Sequence, residues 1–131
     1  MPGPIKARPQ RSRSGTQPGL PGITIAEAVC GRRVELHLTG ELDAWSSDKL
    51  DDYLRRNEEQ GAAEIRIDLA GLAFIDAAGV GTLVAAARRA GTGGWRLSLA
   101  NAHGLVARVI KLTQLEEMID HWQDPASAPR A

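Results

Sequence analysis

The sequence predicts a single α/β domain built on a mixed, mostly parallel sheet of about four strands flanked by helices. Its 131 residues suffice for one domain of ordinary size. The spacing of apolar residues switches repeatedly between a period of two and a helical period, in the order ββαβαβα. Strands that alternate with helices pair in parallel, whereas the two leading strands follow each other directly and form a hairpin, which makes the sheet mixed.

The hairpin opens the domain. Ile23 and Ile25 alternate with polar or small residues, and Gly31-Arg32 supplies a plausible turn. The second strand alternates strictly between apolar and polar residues, which is typical of a strand with one face in water. Its apolar residues are Val34, Leu36 and Leu38.

The first helix is predicted over residues 46–60. Ser46 or Ser47 provides its N-cap, since a serine hydroxyl accepts a hydrogen bond from the first helical turn. Gly61 is a natural end for it. One face carries the less polar residues Leu50, Tyr53, Leu54 and Asn57.

The third strand and the second helix follow. Ile65, Ile67 and Leu69 alternate with polar residues and predict a strand. A short loop with the apolar pair Phe74-Ile75 then leads to a helix that begins at Asp76. The apolar stripe of this helix consists of Val80, Leu83, Val84 and Ala87.

The last third of the domain repeats the strand-to-helix order. Three glycines end the second helix, at positions 91, 93 and 94, and a fourth strand follows with Trp95, Leu97 and Leu99. Asn101 is a candidate cap for a final helical stretch. Two apolar registers within that stretch predict a break near Thr113-Gln114.

Composition separates the domain from two tails. Residues 1–21 hold five prolines, three glycines and four basic residues with no acid, so they are predicted to be a disordered basic tail. The domain spans 22–122, and 123–131 is a second disordered tail. Outside the first tail the chain has 12 basic and 16 acidic residues, a net charge of −4, and no nucleic-acid partner is expected.

Several function classes are not indicated. A lone cysteine, Cys30, cannot form an internal disulfide, and the three histidines are too widely spaced for a metal site. No apolar run approaches the ~20 residues of a membrane span, and no secretory signal precedes the domain, so we expect no membrane insertion and a cytoplasmic location. Nucleotide-binding glycine motifs are absent, and no cofactor is predicted.

The start of the second helix is the most informative segment. Asp76 is a good N-cap, and the next positions are almost devoid of side-chain bulk: Ala77, Ala78, Gly79 and Gly81. A partner's surface could therefore approach the helix backbone closely. Asp43 follows another strand, so the two aspartates could form a carboxylate pair. No hydroxyl or thiol nucleophile accompanies them in this segment, and the chain is therefore not predicted to be an enzyme.

Three segments carry a resemblance to a known family. Residues 40–43 read Gly-Glu-Leu-Asp, residues 68–81 read DLAGLAFIDAAGVG, and residues 111–115 read Lys-Leu-Thr-Gln-Leu. In this order, across Ile23 to Trp122, they resemble the motifs of STAS domains from anti-sigma-factor antagonists. The resemblance implies the STAS fold and a role in partner switching during transcription regulation.

In the antagonist branch, the resemblance implies a partner kinase, an anti-sigma factor with a histidine-kinase-like ATPase fold. That kinase phosphorylates the second hydroxyl residue after the aspartate, and phosphorylation releases the antagonist. Ala78 occupies the matching position here and Ala77 the other hydroxyl position. Because a methyl group cannot accept phosphate, the chain is predicted to stay in the binding-competent state. The predicted partner-binding residues are Asp43, Asp76, Ala77, Ala78, Gly79, Val80 and Thr82.

Two other functions fit the same residues. The chain could be a STAS-type accessory subunit of a transporter or of a stress-signalling complex, in which the missing hydroxyls are equally natural. It could also be a sensor domain for a small molecule or a nucleotide.

Thr82 is a poor substitute phosphate acceptor because a residue inside a helix does not extend into a kinase active site. The sequence leaves the oligomeric state open.

Overall fold

The computed structural model describes residues 6–8, 22–117 and 121–122, with side chains for 22–117. Two segments predicted as tails, at 1–21 and 123–131, lie outside the described residues apart from 6–8. The elements in chain order are β1 (Lys6–Arg8), β2 (Ile23–Cys30), β3 (Arg33–Leu42), α1 (Ser47–Glu59), β4 (Glu64–Ile75), α2 (Ala77–Gly93), β5 (Arg96–Ala100), α3 (Gly104–Leu112), a 3₁₀ helix (Leu115–Glu117) and β6 (His121–Trp122).

The strands form one sheet in which spatial order equals chain order. β1 and β2 pair antiparallel, as do β2 and β3, whereas β3, β4, β5 and β6 are all parallel. The predicted α/β class, the mixed and mostly parallel sheet and the ββαβαβα order of the long elements are confirmed. β1 and β6 add an edge strand on each side, and strands of two or three residues leave no period in the sequence.

The three helices cover one face of the sheet. Because crossovers between parallel strands are almost always right-handed, helices that join neighbouring strands in chain order lie on the same side of the sheet. The inward residues of the sheet and the helices form a single apolar cluster, which includes Ile65, Ile67 and Leu69 of β4. The helices contribute Leu50, Leu54, Leu83, Ala86, Ala87, Ala90, Val106 and Ile110.

The opposite face of the sheet carries paired charges. Arg66 Nε lies 3.6 Å from a Glu35 carboxylate oxygen, and the His37 ring lies 3.0 Å from Glu35 and 3.4 Å from Asp68. These residues alternate along β3 and β4 with the buried apolar ones. The prediction that β3 has one face exposed to solvent is therefore confirmed.

β3 and β4 run further than the alternation of their residues predicts. The short loop predicted before Asp76 is wrong, because β4 continues to Ile75 and pairs with the last residues of β3. Register shifts after His37 and Gly40 break the period of two, which hides this continuation in the sequence. Gly40 has φ +113°, and a Cβ there would collide with the carbonyl oxygen of Gly22.

The predicted helices have the expected positions, but the caps predicted for α1 and α3 differ from those observed. Asn57 is buried on the apolar face of α1 because its amide donates to a Glu27 carboxylate oxygen at 2.6 Å. α3 ends at Leu112, and Gln114 has φ +60°, which confirms the break near Thr113-Gln114. Asn101 does not cap α3, since His103 is the N-cap residue.

Arg89 joins α2 to α1, and we expect its substitution to lower the free energy of unfolding measurably. Its Nε and Nη2 donate to the two Glu58 carboxylate oxygens at 2.8 and 2.9 Å, and the hydrogen bond to Glu58 raises the pKa of Arg89. The Arg89 side chain is 22% exposed. Arg89→Met should lower the free energy of unfolding by about 1–2 kcal/mol, as for a bidentate charge-assisted pair.

The matched control is Arg55→Met. Arg55 also forms an ion pair, with Asp51 at 2.7 Å, but its side chain is 55% exposed. Exposed i,i+4 pairs contribute about 0.3–0.5 kcal/mol, so this variant should lose no more than that. Urea unfolding of both variants measures the difference. Equal losses would contradict a structural role for the link between α1 and α2.

Candidate functional site

The candidate site lies at the carboxyl ends of β3 and β4. Leu42 and Ile75 are register partners in the parallel ladder, so Asp43 and Asp76 each follow a paired position. The Asp76 amide donates to the Leu42 carbonyl oxygen at 3.1 Å. The structure therefore brings the two predicted aspartates to the same edge of the sheet, where parallel α/β folds present their functional loops.

Asp76 begins α2 in an extended conformation, with φ −116° and ψ −171°. Its Oδ1 accepts a hydrogen bond from the Gly79 amide at 3.0 Å, and its carbonyl accepts one from Val80 at 2.9 Å. The prediction that Asp76 caps this helix is confirmed. The carboxylate is thus held by the first turn, and the negative charge lies at the positive end of the helix dipole.

The small residues after Asp76 differ in what surrounds them. Ala77 and Gly81 are exposed, and Ala78, like Val80 and Thr82, is half-buried. Gly79 is buried, and a Cβ there would meet the Leu42 carbonyl oxygen at 2.7 Å and Ile75 Cγ1 at 2.8 Å. Gly79 therefore belongs to the packing of α2 on β3 and is not part of the accessible surface, although it was predicted to bind a partner.

Gly81 has the opposite environment. A Cβ added there would meet no atom within 4 Å. Thr82, the next residue, directs its hydroxyl to the Ala78 carbonyl oxygen at 3.2 Å, within its own helix. The exposed part of the first two turns consists of backbone, methyl groups and one hydroxyl that is already hydrogen-bonded. We call Asp76, Ala77, Ala78, Val80, Gly81 and Thr82 the α2 tip.

The loop between β3 and α1 is held by its own hydrogen bonds. Asp43 Oδ1 accepts from the amides of Trp45 at 3.0 Å and Ser46 at 3.1 Å. Ser46 Oγ donates to the Glu41 carbonyl oxygen at 2.7 Å, and Ser47 Oγ donates to that of Asp43 at 2.8 Å. Asp43 therefore organises the turn, and neither serine hydroxyl caps α1 as predicted.

Trp45 is a further residue of this loop, which the sequence patterns do not predict. It is 77% exposed in this loop, the largest exposed fraction among the large apolar side chains that the structure describes. Trp45 stands outside every strand or helix period, so no apolar pattern includes it. The available signal was a large aromatic residue placed between the turn residues Asp43 and Ser46.

The charge around the α2 tip is negative. The loop and the tip together, at 41–49 and 76–82, contain four acidic residues and one basic residue, Lys49, a net charge of −3. Lys49 Nζ donates to the Ile23 carbonyl oxygen at 3.1 Å. The acidic residues are Glu41, Asp43, Asp48 and Asp76.

The candidate site lies apart from the cavity on the charged face of the sheet. A cavity of about 230 Å³ opens on the charged face of the sheet, where Cys30, Arg33 and Arg66 line it, and neither site aspartate reaches it. Across 22–117, His, Cys, Asp and Glu side chains form no group that could hold a metal ion. None of the helices described here is long and apolar enough to span a membrane.

Known proteins resemble this chain in sequence and in fold. The family model described as "Mlab, STAS domain" matches residues 25–120. The anti-sigma-B factor antagonist of Bacillus subtilis (strain 168) is 30% identical over 87 residues, which are 66% of this chain and 79% of that protein.

Two solved structures have the same fold. The anti-sigma factor antagonist SpoIIAA in its unphosphorylated form matches with a TM-score of 0.65 at 23% identity, over 79% of this chain and 91% of its own. An anti-sigma factor antagonist from Mycobacterium paratuberculosis matches with a TM-score of 0.69 at 20% identity, over 85% and 92%. With its motifs, its fold and the family match across most of its length, the chain belongs to the STAS domain family.

Proposed function

We propose that the chain is an anti-sigma-factor antagonist. It docks through the α2 tip and through the loop at 43–46 between β3 and α1, which we call the Asp43 loop. Its partner is an anti-sigma factor that is a kinase with the histidine-kinase-like ATPase fold. Binding to this kinase frees the sigma factor. The similarity to the Bacillus subtilis antagonist supports this function. In this role the chain binds and does not catalyse, and it acts in the cytoplasm.

The empty space around Gly81 is the observation that carries the proposal. A glycine inside a helix costs about 1 kcal/mol relative to alanine. For Gly79 the packing against Leu42 accounts for this cost, but around Gly81 there is empty space. The fold itself therefore gives no reason for the missing side chain. A partner that approaches the helix backbone at this point supplies one.

Ala78 decides how such a complex is regulated. Its half-buried methyl group lies two residues after Asp76, at the position that the family resemblance matches to the phosphorylated residue of such antagonists. A phosphate there would add between one and two negative charges to a surface that is already acidic. Since alanine cannot accept a phosphoryl group, this switch is absent at position 78, and the chain remains competent to bind.

Titration of the full-length chain with each kinase of this fold from the source organism tests the proposal. We expect a stoichiometric complex with at least one kinase in isothermal titration calorimetry. After incubation with that kinase and ATP, mass spectrometry should find no phosphate between residues 76 and 82. Stoichiometric phosphate on Thr82 would contradict the lack of a switch, and failure to bind any of the kinases would contradict the function.

A second candidate function uses the same surface. The chain would be an accessory subunit of a transporter or of a stress-signalling complex, and its partner would need no kinase activity. The α2 tip without a phosphate acceptor favours this function as much as the first. Purification of the native protein with its bound partner distinguishes the two, because the mass spectrum of the complex contains either a kinase or a transporter subunit.

A further inference from the structure

We propose that Trp45 is the apolar anchor of this docking surface, and that the partner kinase meets it with an apolar recess bordered by basic side chains. This inference rests on the proposed function and adds the residue that makes its main apolar contact. It also specifies the chemistry of the partner's surface.

The exposure of Trp45 is the first argument. Trp45 is 77% exposed, whereas Trp95 packs in the core and is 8% exposed. An exposed indole contributes little to the stability of its own fold but buries about 150–250 Å² when it enters an interface. Tryptophan is also among the residues most enriched at the energetic centres of protein interfaces.

The rigidity of the loop is the second argument. The amide of Trp45 donates to Asp43 Oδ1, and the same oxygen accepts from the amide of Ser46. The Ser46 hydroxyl is buried and joins this turn to the Glu41 carbonyl oxygen at 2.7 Å. The backbone that presents the indole is thus ordered before binding, and less conformational entropy is lost when the complex forms.

Charge is the third argument, and it selects the partner. Glu41, Asp43 and Asp48 lie within four positions of Trp45, and Asp48 is exposed. With Asp76 and Lys49 included, the net charge of the site is −3. A basic rim around the recess for Trp45 complements this charge and accelerates association, whereas an acidic rim would be repelled.

Leu112 provides a matched control on the same molecule. Its side chain is 75% exposed, close to the value for Trp45. It lies at the last residue of α3, and α3 begins at the sheet edge that carries the site. Leu112 therefore lies at the opposite end of α3 from this edge, and its truncation removes exposed apolar surface at a residue outside the proposed interface.

Calorimetry of the full-length chain with the partner kinase tests the inference. Trp45→Ala should weaken the complex by about 30-fold or more, the loss expected for an interface hot spot. Trp45→Phe should keep part of the affinity, and Leu112→Ala should leave it within twofold. Raising the salt concentration should slow the association of the wild-type chain. Thermal unfolding checks that every variant is folded.

The outcomes separate this inference from the proposed function. If Trp45→Ala binds as well as wild type while Ala78→Asp binds weakly, the docking surface stands and Trp45 is not its anchor. If wild type binds no kinase, both proposals are wrong. If wild type self-associates in sedimentation velocity and Trp45→Ala does not, a second copy of this chain occupies the surface, which overturns the assignment to a kinase.

Discussion

Gly79→Ala is expected to lower the free energy of unfolding by about 2 kcal/mol. Overpacking against fixed atoms costs up to about 3 kcal/mol, and the higher helix propensity of alanine offsets about 1 kcal/mol of that cost. The added Cβ would lie 2.7 Å from the Leu42 carbonyl oxygen and 2.9 Å from Leu42 Cγ. That oxygen also accepts the Asp76 amide, so it cannot retreat without loosening the end of the sheet. Thermal unfolding should show a midpoint about 10 °C lower.

Gly81→Ala is the control in the same helix, two residues further on. Because a Cβ there meets nothing within 4 Å, only the helix propensity changes. This variant should be more stable than wild type by about 0.5–1 kcal/mol. Opposite signs for the two glycines are the decisive result. If both variants were stabilised, the close packing of α2 on the end of β3 would be wrong.

Ala78→Asp is expected to leave stability almost unchanged and to weaken the complex with the partner kinase at least tenfold, about 1.4 kcal/mol. A carboxylate in the first turn of a helix interacts favourably with the dipole, which offsets its repulsion by Asp76. At the interface, by contrast, the same carboxylate must be desolvated where the wild type places a methyl group.

Two further substitutions at position 78 separate charge from size. Ala78→Asn adds nearly the same bulk without the charge, so it should lose less affinity than the aspartate variant. Ala78→Ser restores a hydroxyl and should take up about one phosphate per chain from the kinase and ATP, as the family resemblance implies. Calorimetry and intact mass spectrometry measure these effects. An aspartate variant with wild-type affinity would contradict contact between this residue and the kinase.

Local patterns in the sequence determined much of this protein. Alternation such as that of Val34, Leu36 and Leu38, and helical spacing such as that after Asp76, were sufficient along the domain to predict the order of its long strands and helices. The Asp76 cap was predictable for the same reason, since a cap involves residues within three positions of each other. The absence of a hydroxyl at Ala78 is likewise a fact of the sequence alone.

Contacts between distant residues decided the rest. The sequence does not distinguish Gly79 from Gly81, and only the approach of Leu42 from β3 makes one structural and the other open. The register shifts that extend β3 and β4 depend on how two separate strands pair. The exposure of Trp45 follows from the turn that Asp43 organises, since among residues 22–117 no element covers the indole. Periodicity and capping act over a few residues, whereas packing space and exposure are fixed only when the whole chain has folded.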